Sequence, residues 1–242
     1  LVVLSAVLVA EDKNDAPRVT ALAPLEIVPG VDVALKIRGM KLSAATEVSF
    51  PGTVGVKAEI KEKKTADVPN GLDAKDVGDT QVEVALTVPA DLPPGKITLV
   101  VNTPDGSAIT SLLVREAAVL VEEKEPNGGF AEAQLIEWGR TIRGSVKEDK
   151  DVDVFQFKGQ AKQTVLVEVA ANCCGSLLDA ALTLFDARGQ IVASCDDMPG
   201  SHDPQLRVTL PADGTYFLSL FDAHDRGGGW YPYELLVKEV VP

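Results

Sequence analysis

The sequence predicts an all-β protein made of two β-sandwiches in tandem. Three observations predict it: apolar residues that alternate with polar ones, turn-forming pairs at short intervals, and a charged, turn-rich boundary near residues 116–128. The length agrees, because 242 residues exceed the roughly 100–150 of one typical domain.

Period-two ladders place the strands. Val31, Val33, Leu35 and Ile37 form one, Val82, Val84, Leu86 and Val88 a second, and Val165, Val167 and Val169 a third. Such alternation marks half-buried strands. Pro29-Gly30, Pro51-Gly52, Pro93-Pro94-Gly95, Pro104-Asp105-Gly106, Arg188-Gly189 and Asp213-Gly214 punctuate them, as turns require. Gly39 follows a ladder and is expected at positive φ, which glycine tolerates. A trace of helical period is confined to residues 130–138, and the polar stretch 61–80 reads as a long loop.

The chain divides into residues 1–16, 17–116 and 117–242. The first segment opens LVVLSAVLVA and then turns polar at Glu11. Ten apolar residues fall short of the roughly 20 that span a bilayer. Two readings compete: a signal-peptide remnant ending near Ala10, and a strand of Val2, Val3, Val7, Leu8 and Val9. The abrupt switch to a charged, Pro-ended linker favours the first. It predicts a secreted protein, extracellular or periplasmic. No later apolar run has the length of a transmembrane helix.

Net charge is −13, from 36 acidic and 23 basic residues. This argues against nucleic acid, whose binders cluster Lys and Arg on phosphates, and against an anionic membrane surface. The excess is uneven. Residues 11–116 hold 16 acids against 12 bases, and residues 117–242 hold 20 against 11.

Catalytic patterns are missing from the sequence. Two histidines exclude a three-imidazole site. His202 lies in Ser201-His202-Asp203 and His224 in Ala223-His224-Asp225, with no G-x-S-x-G elbow or H-E-x-x-H helix, so both read as solvated loop residues. The protein is expected not to be an enzyme. A hydrolase would need carboxylates converging around Asp196, Asp197 and Asp203. Those residues, with Asp222 and Asp225, read instead as solvated turn charges beside Pro and Gly. Asp179 and Asp186 bracket a strand and are expected to cap or close its turns.

Three cysteines remain. Adjacent Cys173 and Cys174 bridge each other only with strain, because disulfide geometry wants separated Cα atoms. In an exported protein Cys174 and Cys195 are the candidate bridge, with three unpaired thiols as the alternative. Without C-x-x-C pairs, a structural zinc site is not expected. In Gly227-Gly228-Gly229-Trp230-Tyr231-Pro232-Tyr233, Trp230 and Tyr231 are candidate contacts for sugar or protein. Packing against the sandwich edge is the competing reading.

Residues 17–116 resemble an IPT/TIG domain. The resemblance rests on Pro17-Arg18-Val19, Pro24, Pro29-Gly30, Gly39, Leu42, Val48-Ser49-Phe50, Gly52, Leu92-Pro93-Pro94-Gly95 and Thr103-Pro104-Asp105-Gly106. It implies an immunoglobulin-like sandwich that serves as a spacer or binding module.

Residues 121–240 resemble a bacterial pre-peptidase C-terminal (PPC) domain. The blocks are Glu123-Lys124-Glu125-Pro126-Asn127, Gly144-Ser145-Val146 with Asp151 to Phe155, Leu178 to Asp186, Asp196-Asp197, Leu210 to Tyr216, and Tyr233 to Val237. The resemblance implies a jelly-roll-like sandwich, peptidase-associated and secreted, with Tyr233 in its core.

Glu123, Glu125 and Asn127 alternate, as do Asp151 and Asp153, so each set shares a face of an extended chain. Four carboxylates brought together repel and partly protonate, whereas calcium takes about six to eight oxygens. Resemblance to collagenase-type members implies Glu123, Glu125, Asn127, Asp151 and Asp153 as ligands of Ca²⁺. Gly128 departs from that pattern, standing where those relatives offer another acid. A solvated acidic linker is the alternative.

The function expected is that of a non-catalytic secreted accessory protein. Its second sandwich would stabilise, or dock to, an extracellular protein or polysaccharide, with calcium as cofactor. The alternative is the accessory region of a secreted peptidase whose catalytic domain lies outside this sequence.

Overall fold

The computed structural model describes residues 16–69 and 72–240. The apolar opening segment, and the signal-peptide reading with it, lies outside the described residues.

The first half holds β1 (Arg18–Ala23), β2 (Glu26–Ile27), β3 (Val33–Met40), β4 (Glu47–Ser49), β5 (Lys57–Thr65), β6 (Thr80–Thr87), β7 (Gly95–Thr103) and β8 (Gly106–Val114), with one helical turn, α1 (Ala74–Val77), before β6. The second half holds β9 (Leu120–Glu122), β10 (Gln134–Leu135), β11 (Thr141–Ser145), β12 (Val152–Gly159), β13 (Thr164–Ala170), β14 (Ala180–Phe185), β15 (Ile191–Cys195), β16 (Gln205–Thr209), β17 (Gly214–Asp222) and β18 (Pro232–Glu239).

Sheets β1-β3-β6-β5 and β2-β8-β7-β4 form the first sandwich, and β10-β12-β17-β14-β15 and β16-β13-β18-β11-β9 the second. Among the described residues, no strand pairs across residues 115–119. The ladders supply the cores. Leu35, Ile37, Val82, Val84 and Leu86 face Leu99, Val101 and Leu112 in the first. Phe155, Leu182 and Leu218 face Val165, Val167 and Leu235 in the second. Each such side chain contributes about 1.5–3 kcal/mol on burial.

Three expectations change. Residues 61–65 are not loop but the end of β5, paired with β6. Lys61, Glu62, Lys63 and Lys64 are all exposed, so the end of this edge strand has no apolar face to give a period, and its charges protect the open edge from further pairing. Gly39 lies within β3, and its lack of a side chain serves close approach: a Cβ there would sit 2.1 Å from the Arg18 carbonyl oxygen. Residues 130–138 form turns around the short β10 rather than a helix.

The two sandwiches meet along a seam. Arg115 donates to both carboxylate oxygens of Glu234, the closest at 2.7 Å. Arg143 pairs with Glu26 at 3.0 Å and also with Glu122. The Leu22 amide donates to the Gly175 carbonyl at 2.7 Å, and Leu25, Leu113 and Cys174 form a small apolar cluster between them.

Candidate metal centre

The opening of the second sandwich runs straight into its candidate site. β9 pairs in parallel with β11, and the next residue, Glu123, donates its amide to the Arg143 carbonyl at 3.0 Å. This directs the Glu123 side chain inward, where it is 4% exposed. Its Oε2 accepts the Ser145 amide at 3.1 Å and its Oε1 accepts the Asn127 side-chain amide at 3.0 Å. Asn127 is fully buried, and its backbone carbonyl accepts the Val154 amide at 2.8 Å. That bond lays the opening segment against β12 beside Asp153, which is also fully buried.

Tyr233 completes the floor. It pairs with Gly144 across β18 and β11. A Cβ on Gly144 would lie 2.5 Å from the phenol oxygen, so only glycine leaves the ring its path. The hydroxyl lies 2.7 Å from Asp153 Oδ2 and 3.2 Å from Glu123 Oε1. With one proton it serves one carboxylate at a time.

Carboxylate oxygens of Glu123, Glu125 and Asp153 all lie within 4.8 Å of one another. Two buried oxygens, Asn127 Oδ1 and Asp153 Oδ1, have no hydrogen-bond partner. Burial, then the neighbouring Glu123, pushes the Asp153 carboxyl up to about 9. Burial opposes ionisation of Glu123 too, but its hydrogen bonds to Asp153, Ser145 and Asn127 and the nearby Lys147 charge hold it below its ordinary value. Lys147 Nζ, 3.0 Å from Glu125 and 3.5 Å from Glu123, is the cation at the rim.

Of the five sequence-derived ligands, Glu123, Glu125, Asn127 and Asp153 converge. Asp151 does not join the three-carboxylate group. Its carboxylate accepts the Lys147 amide at 2.7 Å and closes the turn before β12. Glu123, Asn127 and Asp153 are buried rather than solvated. All donors are hard oxygens, and two are buried without partners, a set that fits calcium.

Other candidates fare differently. Tyr231 is buried, 2% exposed, and offers no ring face to a ligand. Trp230 is half-buried and stacks beneath the Arg38 guanidinium of the first sandwich at 5.7 Å, so it serves the seam. Cys174 and Cys195 are not bridged, and all three thiols are free. Cys174 Sγ lies 2.8 Å from Cys173 Sγ, and Cys195 Sγ faces the Asp197 carbonyl.

Asp203 and Asp222 are buried rather than solvated. Asp203 accepts the amides of Ala171, Asn172 and Cys173, and Asp222 those of Asp179, His224 and Arg226. Neither role is visible from Pro and Gly neighbours, because each carboxylate closes a turn remote from it in sequence or just ahead of it.

Residues 151–222 match the family model of the bacterial pre-peptidase C-terminal domain. A 114-residue stretch, 45% of this chain, is 39% identical to a probable subtilase-type serine protease of Deinococcus radiodurans. The match spans 16% of that protease's length. Among solved structures, the pre-peptidase C-terminal domain of a Bacillus anthracis collagenase matches at 19% identity, covering 48% of this chain and all of that one, with a TM-score of 0.36. The Aeromonas hydrophila inhibitor of g-type lysozyme, a periplasmic protein, matches at 19% identity over 45% of this chain and 96% of its own, also at 0.36.

Proposed function

We propose that this chain, which carries a pre-peptidase C-terminal domain, is a calcium-responsive, non-catalytic accessory region of a secreted peptidase. The observation that carries the reading is the pair of buried, partnerless oxygens, Asn127 Oδ1 and Asp153 Oδ1, beside three carboxylates. Buried polar groups are almost always paired, and the cluster has more acceptors than donors.

Glu123, Glu125, Asn127 and Asp153 would hold the ion. Bound calcium supplies a fixed positive charge that offsets the repulsion between these carboxylates. The chain's own residues do the rest. Asn127 ties the opening segment to β12. Tyr233 orients Asp153, and Ser145 fixes Glu123. Closing this cluster fixes the course of the chain next to the seam, since Glu122, one residue earlier, pairs with Arg143.

Similarity to a subtilase-type protease supports the peptidase context, with the accessory region acting on folding or docking rather than on bond cleavage. Among the described residues no helix is long and apolar enough to cross a membrane. The partner in this reading is a peptidase domain, and docking to an extracellular protein or polysaccharide is the broader form of the same role.

Scanning calorimetry in Ca²⁺ and in EDTA tests it. Calcium at a hundredfold excess over Kd is expected to stabilise the fold by about 2.7 kcal/mol. Glu123→Gln is expected to erase the difference, and identical melting in both buffers for the unaltered chain overturns the reading.

A further inference from the structure

A second constellation lies away from the Glu123 cluster, in the loops before β14, after β15 and after β17. It contains both histidines of the chain. His224 Nε2 lies 3.2 Å from Asp179 Oδ2, and His202 Nδ1 lies 3.5 Å from Asp197 Oδ1. One ligating atom each from Asp179, Asp197 and His202 falls within a 4.8 Å circle. Residues 23 positions apart thus come together, and His224 reaches the group through its contact with Asp179.

Backbone hydrogen bonds pin every arm of this group. The buried Asp222 carboxylate accepts the amide of Asp179 at 3.0 Å through Oδ2 and that of His224 at 2.9 Å through Oδ1. The Ala223 amide donates to the Asp179 carbonyl at 2.7 Å. Opposite, Met198 and Ser201 bond reciprocally at 3.0 and 2.9 Å around a tight turn that contains Gly200 at φ +83°. That turn holds Asp197 and His202 at its two ends. The buried Asp222 carboxylate thus fixes the main chain that carries two of the candidate ligands, Asp179 and His224. Surface ion pairs need no such support and gain little.

We propose that Asp179, Asp197, His202 and His224 form a binding site for a borderline divalent transition metal, of which Zn²⁺ is the type. The donor set is two imidazole nitrogens and two carboxylate oxygens, which suits zinc and its neighbours rather than calcium. Tetrahedral bonds of about 2.0–2.2 Å place ligand atoms about 3.4 Å apart. The His224–Asp179 and His202–Asp197 spacings of 3.2 and 3.5 Å are close to that value, and the side chains, 32–66% exposed, have room to draw in together. Burial, then the facing Asp197 charge, holds the Asp179 carboxyl above its ordinary value, a repulsion that a cation relieves. The metal would join the β15–β16 turn to the loops before β14 and after β17, which no strand pairing does.

Calorimetric titration of the whole chain with Zn²⁺, run in saturating Ca²⁺, tests the site, with Co²⁺ as a spectroscopic probe. One Zn²⁺ per chain is expected, and Co²⁺ is expected to show the visible bands of a four-coordinate nitrogen–oxygen site. His202→Ala and His224→Ala are each expected to weaken binding at least about tenfold. Both side chains are more than half exposed, so the fold should survive, and unchanged melting without metal verifies that. Glu123→Gln and the Cys173→Ser/Cys174→Ser double variant are expected to bind Zn²⁺ as the unaltered chain does. The proposal is overturned by no binding, by binding indifferent to both histidine replacements, or by binding that disappears with the cysteines.

Discussion

Two groups of buried carboxylates, one at the seam and one at the opening of the second sandwich, are treated in opposite ways. At the seam, Glu26 and Glu234 are each nearly inaccessible, and each has an arginine: Arg143 for Glu26, Arg115 for Glu234. At the opening of the second sandwich, Glu123 and Asp153 have mainly each other, a phenol, two amides and the half-exposed Lys147. Charge at the seam is complete within the chain. Charge at the cluster is not, and the partnerless oxygens mark the shortfall. Asp203 and Asp222, also buried, are satisfied by three backbone amides each, so the cluster stands apart in lacking both a buried cation and enough N–H donors.

The sharpest way to break the comparison is to remove a seam arginine. Arg115→Ala leaves Glu234 buried without its partner and is expected to cost about 3 kcal/mol, the scale of a broken buried pair, as read from urea midpoints. Asp153→Asn is expected to behave differently in EDTA. It replaces a carboxyl that burial and Glu123 push up to about 9 with a neutral amide of the same shape, so stability without calcium should hold, while the calcium response of about 2.7 kcal/mol at a hundredfold excess over Kd is lost. A fall in stability in EDTA as large as that of Arg115→Ala would erase the distinction between the two regions.

A smaller effect sharpens the seam itself. Burial holds the Glu26 carboxyl above its ordinary 4.5, against the pull of Arg143. The folded chain thus binds this proton more tightly than the unfolded chain does. That contribution is fully present below about pH 4.5 and is lost as pH rises through the raised value. Glu26→Gln lacks the titration, so its stability relative to the unaltered chain should improve from pH 4 to pH 7, as followed by thermal melts. A constant difference would contradict it. The smallest effect belongs to the exposed edge. Lys64 pairs with Glu62 and Glu83 in open solvent, and Lys64→Ala is expected to leave the melting midpoint unchanged within error.

Legibility in the sequence followed burial. Val82, Val84, Leu86 and Val88 all lie in the core, because alternation records a one-sided burden that a strand cannot hide. β5 was illegible beyond Ile60 because its last residues face water on both sides and carry no such record. In the candidate site, Glu123, Glu125 and Asn127 were readable from their spacing along one extended segment. Tyr233 was readable as core but not as the donor to Asp153, since that contact depends on Gly144 lying across the sheet. The meeting of His202 and His224 at Asp179 was illegible for a different reason. Three loops bring these residues together, and a sequence pattern within any one of them looks like a solvated turn.

β9 has a mechanical consequence. Only five residues separate the end of β8 from this strand, and β9 then lies parallel against β11. Arg143, on β11, grips Glu122 at its end and Glu26 on the first sandwich together. A load pulling the two sandwiches apart therefore enters a short, stiff splice rather than a slack tether. The splice leads directly into Glu123, so traction on the chain acts on the same few bonds that position the carboxylate cluster.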